Sequence, residues 1–268
     1  MIERRALERR AGALGITVRH VQLDYVLHHL LAGFAGDDEG LVFRGGTALA
    51  RVYWPDFRIS EDLDFIAPDR IPDFERRVRR VVAVAADTTG LDARVEIGGW
   101  RDDRLRATVS WTGWDQQGEL LIDVVRGQRP ALPPEKLPLD LRYPDLEAAV
   151  ARRIRVLQLD EILANKWLML DDREEPRDLF DLWWGLTRGR VPFEAIAAAH
   201  LVAYRYPPMT ANIERAIRLK DRWEQRLAYQ LNDLAPFDAA LAEVRRHFDT
   251  WRSSTEESPG TSPKANQQ

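Results

Sequence analysis

The patterning of this chain switches once, from strand-like to helical, and no other feature constrains its fold as strongly. Residues 62–67 alternate like a strand, and three further strand candidates follow at 93–97, 105–111 and 119–125, each bounded by Gly or Asp turn chemistry. From Leu159 to about Trp251 the chain reads as almost all helix. Between the two regimes lie Pro130, Pro133, Pro134, Pro138 and Pro144, which predict a connector without regular structure over 129–145. The expected fold class is α+β: a mixed β-sheet with helices to about residue 127, then a helical domain over 146–251. A cleft between the halves is the default place for a ligand. Residues 252–268, rich in Ser, Pro, Glu and Gln, read as a disordered tail.

The first 35 residues predict two helices. In the second, Val18, Val21, Tyr25, Leu27, Leu30, Leu31 and Phe34 fall near a helical period that Gly33 and Gly36 close. A short strand over 41–44 runs into Gly45-Gly46, and a helix is expected over 47–54, with Thr47 as its N-cap and Pro55 as its stop. Residues 72–89 predict an amphipathic helix, Val/Ala-rich on one side and basic on the other.

Composition narrows compartment and partners. The absence of cysteine rules out disulfides, thiol catalysis and zinc–thiolate sites. The longest apolar stretch, 81–86, is far short of the ~20 residues a membrane span needs. No apolar run follows the start Met1-Ile2-Glu3-Arg4-Arg5, so an intracellular, cytoplasmic protein is expected. A net charge of −4 excludes nucleic-acid binding by bulk basicity and leaves two local clusters: Arg76, Arg77, Arg79 and Arg80, then Arg152, Arg153 and Arg155. Trp167, Trp183 and Trp184 lie beside Leu and Phe at helical spacing and are expected to pack in a core.

The densest polar constellation is Arg44-Gly45-Gly46-Thr47 followed by 58–65, Arg-Ile-Ser-Glu-Asp-Leu-Asp-Phe. Two glycines between a strand and a helix let backbone amides approach an anion, although such turns also occur for steric reasons alone. Asp62 and Asp64, at i and i+2 on a strand, point to one face about 7 Å apart at Cα. Both could reach one divalent cation, or a pair of ions ~3.5–4 Å apart. Asp123, inside the apolar run 120–125, needs a partner on a neighbouring strand unless it lies on the strand's solvent face.

Taken in order, Gly-Gly-Thr-x-Leu, Arg-x-Ser-Glu-Asp-Leu-Asp-Phe and Leu-Ile-Asp-Val closely resemble the AbiEii/MenT nucleotidyltransferase toxins. These belong to the DNA-polymerase-β-like nucleotidyltransferase superfamily. Residues 21–25, 160–166 and 177–182 are similar to that family too, so the resemblance runs from about residue 15 to 190. Arg44 departs from it, standing where the family usually has Lys; charge is kept but not geometry.

The resemblance implies transfer of NMP from an NTP to the 3′ end of tRNA, with Mg²⁺ at a two-ion site, blocking translation. It also implies a separately encoded antitoxin. By the same resemblance Asp62, Asp64 and Asp123 hold the metal, and with Lys166 and Asp181 form the catalytic set. Arg44, Gly45, Gly46, Thr47, Ser60, Lys166 and Asp178 would contact the nucleotide. Lys166, one of four lysines, would face the triphosphate, where Asp178 and Asp181, i and i+3 on one helix face, could orient it or touch the nucleotide. Ser60 would lie in the active site as a phosphorylation point, and the two arginine clusters would flank one cleft and hold the RNA. The alternatives are a transferase acting on a protein hydroxyl or small molecule, or a non-catalytic nucleotide-binding module. The joint presence of Ser60, Asp62, Asp64, Asp123 and Lys166 argues against the last.

Overall fold

The computed structural model describes residues 2–35, 40–55, 57–67, 73–149, 152–173, 175–231 and 233–256. The chain divides into two compact units: Met1–Ile162 with Arg222–Leu234, and Leu163–Asp221 with Ala235–Gln268. Among the described residues no helix is long and apolar enough to cross a membrane.

In the first unit, α1 (Arg4–Leu14) and α2 (Val18–Phe34) precede β1 (Val42–Arg44), which runs into α3 (Gly45–Ala48) and a π-helical turn, Leu49–Tyr53. Then come β2 (Asp62–Ala67), α4 (Phe74–Thr89), β3 (Asp92–Ile97), β4 (Arg104–Gly113), β5 (Gln116–Arg126), β6 (Glu135–Pro138) and β7 (Arg153–Val156). These strands form one mixed sheet in the order β3-β4-β5-β2-β1-β7-β6. The pairs β2–β5 and β1–β7 are parallel; the others are antiparallel.

Period-2 alternation gives the sheet two unlike faces. Leu120, Ile122 and Val124 of β5, and Leu105, Ala107, Val109 and Trp111 of β4, are buried on one of them. Phe34 of α2 packs there, its ring 5.0 Å from Phe65, which lies 5.2 Å from Phe43. Burying each such ring contributes about 1.5–3 kcal/mol. Helix α4 joins this layer by crossing α2 closely at Gly33, where an added Cβ would meet Val81 Cγ1 at 2.7 Å. The other face carries Asp62, Asp64 and Asp123.

The expected strands form within a few residues of their predicted bounds. Four local expectations fail. The proline-rich connector contains β6 and a 3₁₀ turn over Pro144–Ala149. It is ordered by outside partners: Glu161 accepts from the amides of Ala131 and Leu132 at 2.9 and 3.0 Å, and Gln158 Nε2 donates to the Pro133 carbonyl at 2.9 Å. Thr47 is not an N-cap, because the helix already begins at Gly45 and the Thr47 hydroxyl donates instead to the Asp62 carbonyl. Arg77 is not part of a solvated face; it is 5% exposed, with its guanidinium 5.6 Å from the Phe34 ring centroid. Since α4 lies on the α2 side of the sheet, its exposed arginines do not flank the carboxylates. Gly36 and Pro72, expected near helix ends, lie outside the described residues.

The second unit is helical, as expected. It contains α5 (Leu159–Asp172) from Leu163 onward, α6 (Pro176–Thr187), α7 (Phe193–Tyr204) and α8 (Thr210–Arg215). After α9 (Trp223–Leu227), which belongs to the first unit, it ends with α10 (Phe237–Glu256). Trp167 is fully buried, stacked on Phe248 and edge-on to Phe193, both at 5.0 Å. Trp183 and Trp184 pack beside Phe180, at 5.5 and 5.9 Å, in keeping with a packing role. α10 continues through 252–256, part of the expected tail; residues 257–268 lie outside the described residues.

Burial therefore separates Arg77 from its neighbours. Arg77→Glu should lower unfolding free energy by about 2–4 kcal/mol, since it places a carboxylate among packed side chains. Reversing exposed Arg76, Arg79 and Arg80 together should stay within about 1 kcal/mol of wild type. Urea unfolding of the two variants checks both values.

Candidate active site

Strand register builds a row of charge across the sheet. Arg106 of β4 stands opposite Asp123 of β5, Asp123 opposite Asp64 of β2, and Asp64 opposite Arg44 of β1. Registered residues share a face, so the row reads Arg106–Asp123–Asp64–Arg44, with Asp62 two residues before Asp64 on that face. Three carboxylates on two adjacent strands repel one another strongly when all are ionised. Part of that cost is offset within the row. The Arg106 Nε and Nη2 atoms donate to Asp123 Oδ1 and Oδ2 at 2.8 and 2.7 Å, a bidentate pair. That bond and charge, followed by the charges of Asp62 and Asp64, push the Arg106 pKa up. At the row's other end, Arg44 Nη1 donates to Gln128 Oε1 at 3.1 Å.

The double glycine is a consequence of this row. Gly45 has φ +81°, and a Cβ there would sit 2.5 Å from Asp64 Oδ2. A Cβ on Gly46 would meet Arg58 Nη2 at 2.6 Å and Ser60 Oγ at 3.2 Å. The helix start is thus pressed against the Asp64 carboxylate and the Arg58–Ser60 strap, and Thr47 ties it to the Asp62 main chain. The strap is pinned from the returning segment: Ile59 N donates to the Gln230 carbonyl at 3.1 Å, and buried Arg58 donates to Gln230 Oε1 at 3.0 Å.

A second support lies under the π-helical turn. Arg51 there pairs with Asp24 of α2, which is 2% exposed and also accepts from the Tyr143 hydroxyl at 2.9 Å. Burial acts against the Asp24 charge, yet Arg51, His28 and Tyr143 together hold its carboxyl below the usual range. Burial also pushes His28 down to about 4, so it stays neutral near pH 7. Neither Gln230 nor Asp24 stood out as a site residue in the sequence. Each lies far along the chain from its partner, and no local pattern signals such a pairing.

In the helical unit, the Lys166 ammonium donates to Asp178 Oδ1 at 2.7 Å and lies 2.9 Å from Asp181 Oδ2. Arg173 forks onto both Asp178 oxygens at 2.8 Å. Both aspartates are fully buried and Lys166 is nearly so. Both members of the i, i+3 pair thus contact the Lys166 ammonium. Burial acts to raise Asp178, but Lys166 and Arg173 outweigh it and bring its carboxyl down to about 2.

Among the described residues no three His, Cys, Asp or Glu side chains form a cluster fit to hold a metal ion. The donor chemistry of Asp62 and Asp64 nonetheless suits a hard divalent cation. Mg²⁺ is usually held by one or two carboxylates, with substrate phosphates and water completing its shell.

Solved structures and a family model place the chain. It has a nucleotidyltransferase fold: MenT4, a nucleotidyltransferase toxin from Mycobacterium tuberculosis H37Rv, superposes with a TM-score of 0.62 at 24% identity, over 92% of this chain and 89% of that one. JHP933 from Helicobacter pylori gives 0.60 at 17% identity, over 90% and 95%. No curated protein sequence matches the chain. The model of the AbiEii nucleotidyl transferase toxin of type IV toxin–antitoxin systems matches residues 29–250, and the chain belongs to that family.

The Asp178 shift has a signed consequence for stability. The unfolded value is 3.8 and the folded value about 2, so its stabilisation is present above about pH 4 and lost as pH falls through about 2. Wild type should therefore lose about 2 kcal/mol more than Asp178→Asn between pH 5 and 2, measured by urea unfolding.

Proposed function

We propose that this toxin-family transferase moves a nucleoside monophosphate from an NTP to the 3′ end of tRNA, blocks translation by doing so, and is held in check by a separately encoded antitoxin in the cytoplasm. The observation that carries the chemistry is the register of Asp64 with Asp123, with Asp62 on the same face, beside the Gly45-Gly46 turn. Asp62 and Asp64 would hold Mg²⁺, with Asp123 available to a second ion. The cation would neutralise triphosphate charge and draw electrons from the α-phosphorus. Arg44, the Gly45–Thr47 backbone and Ser60 would position the phosphates. The acceptor hydroxyl would then lose its proton to water and form the new bond at the α-phosphorus as the bond from that phosphorus to the bridging α–β oxygen breaks and pyrophosphate leaves. The role given to Lys166 is a contact with the triphosphate, with Asp178 and Asp181 fixing its ammonium.

Acceptor binding has a basis in register as well. Arg155 of β7 and Lys136 of β6, which pair with each other, fall on the same face of the sheet as Arg44. Beside Arg155 opens a cavity of about 380 Å³, also lined by Arg129 and Leu132. Phosphates of an RNA end suit such a basic margin better than they suit α4.

Incubation with total RNA and each labelled NTP in Mg²⁺ tests the reading. It predicts label at tRNA 3′ ends, reduced at least about a hundredfold by Asp64→Asn. Labelling of a protein or small molecule instead, or none at all, contradicts it. Lys166→Arg, which keeps the buried charge, should fold yet transfer poorly. Reversing Lys136 and Arg155 to Glu should lower the log–log salt slope of tRNA binding by roughly one unit per lost contact. Reversing Arg76, Arg79 and Arg80 should leave that slope unchanged.

A further inference from the structure

We propose that Arg106 is a positioning residue that keeps Asp123 out of the divalent-cation site while no nucleotide is bound, and so sets how weakly the free protein holds that cation. The inference rests on the reading of Asp62 and Asp64 as the cation's carboxylates.

Asp123 stands in register with Asp64, so its charge must be answered by a cation shared between them or by a basic side chain. The structure uses the side chain. Both Asp123 oxygens are engaged by the Arg106 fork at 2.7–2.8 Å, which leaves the carboxylate turned toward β4. A carboxylate gripped at both oxygens becomes a metal ligand only after that pair opens.

The pair is also built to open. The Arg106 side chain is 62% exposed and that of Asp123 30%, so solvent reaches it and no packing locks the guanidinium. Exposed pairs of this kind contribute little, so an arriving metal–triphosphate can displace one. The buried Asp24–Arg51 pair contrasts with it: both partners are under 5% exposed, and breaking it strands a charge.

The test measures Mn²⁺ binding by the full chain without nucleotide, from loss of the free-Mn²⁺ EPR signal. Arg106→Gln should bind Mn²⁺ about fivefold tighter than wild type or more, with Arg106→Lys in between. Adding Asp123→Asn to Arg106→Gln should return affinity to near the wild-type value. Asp123→Asn alone should change it less than about twofold, because Asp123 is already withheld.

Arg106→Gln binding no tighter than wild type overturns the proposal. So does a double variant as tight as Arg106→Gln, which would mean that Asp123 takes no part in the gain. Should Arg106→Gln fail to fold by circular dichroism, Asp123→Asn decides alone, and a large loss of Mn²⁺ affinity there overturns the proposal. Asp64→Asn separates the two readings. If it leaves Mn²⁺ binding intact, the cation site itself has been misassigned. If it abolishes binding while Arg106→Gln changes nothing, only the role of Arg106 falls.

Discussion

Three carboxylates brought to one face of a sheet repel, and the first unit is organised around containing that repulsion. Register sets the problem, because parallel pairing of β2 with β5 puts Asp64 beside Asp123. Register also supplies the answer, with Arg106 and Arg44 as the outer members of the row. The opposite face of the same strands is apolar and buried under α2 and α4, so a one-residue slip would bury the charges and expose Phe65 and Ile122. Fold stability and site geometry therefore depend on the same pairing.

The row then dictates the backbone beside it. Asp64 leaves no room for a side chain at position 45, and Arg58 with Ser60 leaves none at 46. The turn's left-handed φ at Gly45 adds a second reason for glycine there. Asp24 anchors the following π-helical turn through Arg51, and π-turns are common where a helix serves a site. Asp24 thus has an architectural role, one layer behind the carboxylates.

Much of this was legible in the sequence because it is local. Alternation located β2 and β5, and i, i+2 spacing placed Asp62 and Asp64 on one face. The dense Arg-x-Ser-Glu-Asp-Leu-Asp motif marked the strap that Arg58 and Ser60 form. What escaped notice is long-range. The order of β6 comes from its pairing with β7, and that of residues 131–133 from Glu161 and Gln158, some 25–30 positions further on; prolines alone argue against both. Arg77 looked solvated because helical periodicity grades residues by polarity. A long guanidinium can lie buried over an aromatic ring all the same. Arg106 gave no sign because an arginine on a strand is ordinary until its cross-strand partner is known.

We infer that a metal-bound triphosphate sits on the carboxylate row, against Asp64 and its neighbour Asp62 on the same face. Crystals grown with Mn²⁺ and a non-hydrolysable NTP analogue, measured at the manganese absorption edge, address it directly. An anomalous peak is expected within about 2–2.5 Å of oxygens of both Asp62 and Asp64, bridged to analogue phosphate. Manganese and nucleotide bound elsewhere, with that face of β2 empty, would contradict it.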